Sequence, residues 1–511
     1  MIKLVIWDLD DTLWQGTLAD GDAVALFERR AELVRALNRH GVVSSIASKN
    51  DPDAARAQLI GFGLWDEFVF PHIAFEPKQQ SVAAIIAAMQ LRAADVLFVD
   101  DNPVNLHAAR HALPDLNILD ITQPGSDALL DAILSGQPAS RNRIAEYRSL
   151  ERRSGDQVAA GVAAAEFLRT CEIRACTVAM MANLDFIDRI VELVNRSNQL
   201  NYTGSRVSRE ELHRDMIDGY LEYYSWSIFA SDKYGDHGLI GFAMIHRRTQ
   251  QLRHFVFSCR IMHMGFEAHM LRSIAQQFPH VHVPEAWQER VGGADPDWIE
   301  DMPYDDPATR RALFDSHGPK VSAKPELRIM CACQSGGLAH FSRARDAIDF
   351  DIWPRLFALR DFLQEDGAVK NYPPYLVYGA GTDYKNECWP GFSHLLDGGL
   401  YRSCVLRLCE FLTEREIRAL IILPPENLAE HQYGPEGLSR NRTITYNALW
   451  REMMLQYSCL TLLEVEHVCA PNDMVDVNHH RPAGLQEVAR WIDIWYDQEC
   501  AARQGEIAAA A

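Results

Sequence analysis

Asp8 and Asp10 stand two residues apart in Lys3-Leu4-Val5-Ile6-Trp7-Asp8-Leu9-Asp10-Asp11-Thr12-Leu13, where a short apolar run ends in D-x-D-x-T. Side chains alternate along a strand, so both carboxylates point the same way at its carboxyl end. One carboxylate placed there can attack a phosphorus while the other shuttles a proton. Two such charges share a site when a divalent cation sits between them. Three further stations complete a phosphoryl-transfer pocket. Ser48 follows the apolar run 42–47 and offers a hydroxyl to phosphoryl oxygens. Lys78 offers a fixed positive charge. Asp100 and Asp101 follow the run 96–99 and would hold Mg2+ together with Asp8 and Asp10.

A sheet with these residues at one edge is what the surrounding pattern predicts. Across residues 1–135, apolar runs at 42–47, 68–70, 96–99 and 116–118 alternate with amphipathic stretches at 26–39, 52–60 and 81–89. That alternation predicts a doubly wound, mostly parallel sheet, whose ligands bind at the carboxyl ends of the strands. Residues 136–165 turn polar and then alanine-rich, as a helical linker would. Residues 166–315 mix strand-like runs (173–180, 225–230, 238–246, 252–258) with helical ones (184–195, 266–278), an α+β layout. Gly318, Pro319, Ser322 and Pro325 mark a second linker. A further α/β pattern fills 325–500, with strands expected at 328–333, 375–378, 419–423 and 461–465, before an alanine-rich tail.

A second reactive group is Cys259, at the end of an apolar run, beside Arg260 and near His254 and His263. Cations and a nearby helix start favour the thiolate. A basic cluster (His246, Arg247, Arg248, Arg253, His254, Arg260) surrounds it in a chain of formal net charge −20. Such a patch suits an acidic partner. A third is Ser335, placed after a strand and opening a helix, with Asp476 and His479 three residues apart near the C-terminus. That spacing lets one turn present His479 to Ser335 while Asp476 orients the ring.

The order of the first four stations resembles the haloacid dehalogenase (HAD) superfamily. The string Trp7-Asp8-Leu9-Asp10-Asp11-Thr12-Leu13-Trp14-Gln15-Gly16, with Ser48-Lys49-Asn50-Asp51 and Phe98-Val99-Asp100-Asp101-Asn102-Pro103, looks like its FkbH-like branch. Asp11 stands where that branch usually has Asn. Asn198-Gln199-Leu200-Asn201-Tyr202-Thr203, Arg206 and Ser258-Cys259-Arg260 continue the resemblance to about residue 290. Arg260 to Gly265 resembles the pyrophosphate loop of GNAT-type acetyltransferases, with His263 in place of the first glycine. Residues 328–336 and 476–479 resemble SGNH/GDSL hydrolases, with Cys333-Gln334 where Gly-Asp usually stands.

The resemblance implies an α/β multidomain chain: a HAD-type doubly wound parallel sheet, a GNAT-like α+β domain and an SGNH-type α/β/α domain. It implies a glyceryl transferase with phosphatase chemistry. A phosphorylated three-carbon acid, 1,3-bisphosphoglycerate, would lose phosphate, and its acyl group would pass through a Cys259 thioester to the phosphopantetheine thiol of an acyl carrier protein. Thr12, Asn50, Asn198, Arg206, Arg260 and Gly265 would hold substrate or pantetheine. In the third domain Gly381 and Asn427 would supply the oxyanion donors, for O-acyl transfer or ester or thioester hydrolysis. Two alternatives stand beside this reading: a Mg2+-dependent small-molecule phosphatase fused to acetyltransferase-like and esterase-like domains, and a carrier-binding scaffold with decayed sites.

Composition bounds the partners. A length of 511 residues suits two to four domains. The acidic balance, with pI ≈ 5.4, argues against general nucleic-acid binding. Eleven cysteines without a C-x-x-C pair read as reduced thiols. With neither a signal peptide nor an apolar run of about 20 residues, a cytoplasmic protein with no membrane span is expected.

Overall fold

The computed structural model describes residues 2–20, 23–135, 142–291, 296–304, 306–318, 324–350, 372–389, 391–433 and 438–510. Three five-stranded sheets organise them. In the first, His72–Ile73, Val43–Ser48, Leu4–Trp7, Val96–Asp100 and Asn117–Asp120 lie side by side, all parallel. Leu4–Trp7, Val43–Ser48 and Val96–Asp100 are buried along their whole length. Parallel strands covered on both faces do not alternate apolar with polar: Leu4–Trp7 is apolar throughout, while Val43–Ser48 also buries Ser44, Ser45 and Ser48, with Ser45 Oγ donating to the Phe70 carbonyl at 3.0 Å. Helices Glu28–Arg39, Pro52–Gly61 and Ser126–Ser135 cover one face through Val34, Leu37, Leu59 and Leu130. Helices Lys78–Ala88 and Pro103–Ala112 cover the other through Val82, Ile85 and Leu106. Asp51 and Asn102 cap the helices that follow Ser48 and Asp100, each with proline in the first turn.

One expected strand moves. At 68–70, only Phe68 bridges to Ser44, and Phe70 takes φ 50°, a left-handed kink that ends extension. The edge strand forms two residues later, at His72–Ile73.

The linker expected at 136–165 contains the helix Ile144–Ala160. It is a packed strut. Tyr147 and Leu150 join the core of the first unit, and Arg153 pairs with Asp232 of the second at 3.5 Å.

The second sheet runs Gln251–Phe257, Gly235–His246, Tyr223–Asp232, Ile173–Ala179, Ile299–Asp301; only the last joins in parallel. The helix expected at 184–195 begins as a 3-10 segment, Met180–Phe186, before Ile187–Arg196. The third sheet is parallel: Ile348–Phe350, Leu327–Met330, Tyr375–Gly379, Arg418–Leu423, Leu460–Glu464. The alanine-rich tail is the end of a long helix, Pro482–Ala510. No helix among the described residues is long and apolar enough to cross a membrane.

The second and third sheets share one apolar core. Val178, Phe229 and Phe242 belong to the same buried cluster as Val377, Leu420 and Trp495. Helix Ser335–Phe341 packs on Met180–Phe186 so closely that a Cβ on Gly337 would lie 2.6 Å from Met181 Sδ. Leu327, at the end of the expected second linker, is wholly buried in this core.

Candidate active sites

Strand register brings the N-terminal carboxylates together. Trp7 pairs with Ile46 on one side and Val99 on the other, so Asp8 emerges level with Ala47 and Asp100, one residue before Ser48. Lys78, the first residue of its helix, donates to the Ala47 carbonyl at 2.7 Å and forms an ion pair with Asp8 Oδ1. Its ammonium also lies 3.3 Å from Asp100 Oδ2. All three groups are buried. Carboxylate oxygens of Asp8, Asp100 and Asp101 lie within 4.8 Å of one another. An all-oxygen donor set of this kind fits Mg2+.

Burial, with the Asp100 charge behind it, pushes Asp8 up to about 6 against the pull of Lys78. Burial and Asp100 also raise Asp101. Extra positive charge is what this cluster calls for.

Asp10 does not join the cluster, contrary to its expected role as a metal ligand. Its Oδ1 accepts from Trp14 Nε1 at 2.9 Å and Leu18 N at 3.1 Å, and its Oδ2 accepts from Asn50 Nδ2 at 2.9 Å. The same Asn50 amide reaches Ser48 Oγ at 3.0 Å, which links acid/base and hydroxyl in one network. Thr12 Oγ1 and Asn50 Oδ1 are buried without a hydrogen-bond partner, so the pocket keeps polar valences for a further group. Asp11 takes φ 50°, a left-handed conformation that Asn and Asp tolerate better than most residues.

Two comparisons with known proteins, one against family models and one against curated proteins, return no match. Solved structures similar to part of the chain include a HAD-superfamily hydrolase from Ehrlichia chaffeensis: 14% identity, TM-score 0.20, over 23% of this chain and 85% of that one. Another is the phosphatase-containing N-terminal part of a Bacteroides fragilis protein complexed with Mg: 21% identity, TM-score 0.25, over 27% of this chain. The match spans 42% of that Bacteroides chain. A third is 3-deoxy-D-manno-octulosonate 8-phosphate phosphatase from Moraxella catarrhalis: 16% identity, TM-score 0.19, over 31% of this chain and 92% of that one.

Cys259 is half-buried in a pocket of about 70 Å3 whose charged lining is Lys3, Arg143, Arg189, Arg196 and Arg260 together with Glu192, which pairs with Arg143 and Arg189. Asn198 and Arg206 are close by: Arg206 donates to Asn198 Oδ1 at 2.7 Å, and the Asn198 amide reaches Asp95, the partner of Lys3, at 3.4 Å. Cys259, Asn198, Arg206 and Arg260 are thus one neighbourhood. It faces the amino ends of the first sheet, where Lys3 and Val43 lie, whereas Asp8 and Ser48 are at the carboxyl ends. The five residues from Lys3 to Asp8 span roughly 16 Å of strand.

The expected pantetheine loop is closed. A Cβ on Gly265 would meet Pro296 at 2.9 Å and Trp298 at 3.1 Å, and Trp298 Nε1 donates to the Met264 carbonyl. The basic cluster is dispersed as well. Arg260 is buried against Glu146, His254 is buried, Arg253 pairs with Asp215, and Arg247 turns to the Tyr223 carbonyl.

In the third unit Ser335 does not meet His479. Ser335 is fully buried, and its Oγ accepts from Cys331 N at 2.7 Å. His479 Nε2 meets Cys333 Sγ instead, at 3.3 Å, while Nδ1 contacts both Asp476 oxygens at 2.8 and 2.9 Å. Gln334, in the usual Asp position, donates to the Asn478 carbonyl and accepts from His480 Nδ1 at 2.8 Å; it anchors the turn that carries His479. The expected oxyanion donors are elsewhere. Gly381 is packed against Asn478 Oδ1 and Pro424, and Asn427 is exposed in a bend.

Proposed function

We propose that the N-terminal unit is a Mg2+-dependent phosphohydrolase acting on a small phosphorylated substrate. The observation that carries this is the convergence of Asp8, Lys78, Asp100 and Asp101 at one sheet edge. Both contacts to Asp8 fall on Oδ1, which leaves Oδ2 to attack phosphorus. The P–O bond to the leaving group breaks as Asp10 gives that oxygen a proton. Water then attacks the aspartyl phosphate, Asp10 takes back a proton, and phosphate departs. Ser48 and Lys78 hold the phosphoryl oxygens and offset their charge. Asp8, Asp100 and Asp101 would hold Mg2+, which would supply the remaining neutralisation. Phosphate release from a panel of small phosphomonoesters tests the reading. It should require Mg2+, stop with EDTA and fail in Asp8→Asn; Mg2+-independent release surviving that substitution would sink it.

A second reading adds acyl transfer, and the cationic pocket around Cys259 favours it. Here an acyl phosphate such as 1,3-bisphosphoglycerate gives its acyl carbon to the Cys259 sulfur, the C–O bond to phosphate breaks, and the thioester passes to the pantetheine thiol of a carrier protein. Because Cys259 and Asp8 face opposite ends of the sheet, this attack belongs to the pocket of Cys259 itself. Intact mass spectrometry with the acyl phosphate decides it: an adduct absent from Cys259→Ala supports transfer, and no adduct on the wild type removes it.

A further inference from the structure

The contacts of His479 point to a reactive thiol that the sequence motif does not single out. Strand Leu327–Met330 ends at Cys331; Ala332 then takes φ 52°, a strained left-handed turn for a residue with a Cβ. This reversal presents Cys333 rather than Ser335 to the imidazole. Each ring nitrogen of His479 has one kind of partner, sulfur on one side and carboxylate on the other. That is the arrangement of a relay between a nucleophile and an orienting acid, and it leaves no ring nitrogen for a metal.

The neighbouring thiol serves as a contrast. Cys331 is buried, and desolvation pushes it up to about 12, whereas Cys333 is half-exposed. Burial opposes a charged His479 ring, but Asp476 and the Cys333 sulfur outweigh it and raise the ring to about 9. Cys333 opens onto a cavity of about 240 Å3 at the seam of the second and third sheets, lined by Tyr220, Tyr224, Arg247 and Lys385. Two aromatic rings and two cations suit an acyl chain that carries a negative group.

We propose that Cys333, His479 and Asp476 form a cysteine-dependent acyl-transfer site for an anionic ester or thioester bound in this cavity. The Cys333 thiolate adds to the acyl carbonyl carbon and the C–S bond forms. The bond from that carbon to the leaving oxygen or sulfur breaks, and His479 gives the leaving group its proton. Water or another nucleophile then attacks the acyl-thioester, returns a proton to His479 and frees the thiol. Asp476 keeps the ring oriented throughout.

The test uses the full chain and two probes. In limited alkylation with iodoacetamide at pH 6, peptide mapping should show Cys333 labelled at least roughly tenfold faster than Cys331, an excess that His479→Ala removes. Equal labelling of the two, or an excess indifferent to His479→Ala, overturns the proposal. With p-nitrophenyl hemisuccinate, an anionic acyl donor, a hydroxylamine-sensitive adduct should map to Cys333. It should form faster than from the neutral butyrate ester, and Arg247→Gln should erase that preference. An adduct on Ser335, or none on the wild type, overturns the thiol assignment; equal rates with both esters overturn the anionic substrate. If His479→Ala fails to fold, mapping of the ester adduct on the wild type still decides.

Discussion

At Asp8, nucleophilic role and structural cost act against each other. A buried carboxylate beside Asp100 is held in place by one lysine. Asp8→Asn should lower phosphate release by roughly 10³-fold or more while leaving the melting temperature level or raised, since it removes a buried charge beside a like one. Lys78→Met should instead lower the melting temperature, because two buried carboxylates then lose their cation; circular dichroism melts of the two variants in EDTA separate the effects. Gln334 has a different role. Its side chain fastens Asn478 and His480, so Gln334→Ala leaves buried partners unsatisfied and should cost about 1–3 kcal/mol in urea unfolding. Much of the first site is legible in sequence because Asp8, Ser48 and Asp100 sit at the carboxyl ends of short strand runs that the chain itself marks. Asp10's exclusion from the metal cluster is not legible, since it depends on Trp14, Leu18 and Asn50 taking both of its oxygens. Nor is Cys333. Only Gln334 separates it from Ser335, and what chooses between them is the left-handed turn at Ala332, which an alanine does not announce.

At the level of strands and helices, the parallel sheets are legible and their edges less so. Buried parallel strands favour Val, Ile, Leu and Phe, and runs such as Leu4–Trp7 and 96–99 stand out; the edge strand His72–Ile73 has no such signal and follows the kink at Phe70. In the second sheet the spacing is tight at Gly241. A Cβ there would lie 2.6 Å from the Phe257 ring and 2.7 Å from Ile228, next to a shift in register. Gly241→Ala should therefore overpack the sheet and cost about 1–3 kcal/mol, read as a lower urea midpoint with an unchanged slope. The basic cluster is a surface only in part, because charge counting along a sequence ignores which side chains a sheet turns inward: Arg260 and His254 are buried, whereas Arg248 and Arg253 are exposed.

For the molecule as a whole, buried histidines and a buried glutamate set opposing pH dependences. Burial lowers His254 and His480 from 6.5 to about 4, and each has a ring nitrogen buried without a partner. Their folded pKa lies below the unfolded one, so their contribution is full above about pH 6.5 and is lost as pH falls towards 4. Burial raises Glu267 from 4.5 to about 7, so its contribution is present below 4.5 and disappears as pH rises through 7. Melting temperature should fall on acidification from pH 6.5 to 4, less steeply in His254→Leu, and Glu267→Gln should gain most over the wild type above pH 7.

The common core beneath the second and third sheets has a consequence for inactivation. Apolar side chains drawn from positions 176 to 496 exclude water as one body, while the first sheet closes its own two faces. Heating should then produce two calorimetric endotherms for three sheets. The cavity facing Cys333 lies where two parts of the larger body meet, so thiol labelling selectivity should vanish with the endotherm of that body, whether or not phosphate release persists beyond it. A protease cutting near residue 320 would leave two fragments still clasped together, inseparable by gel filtration until denaturant is added.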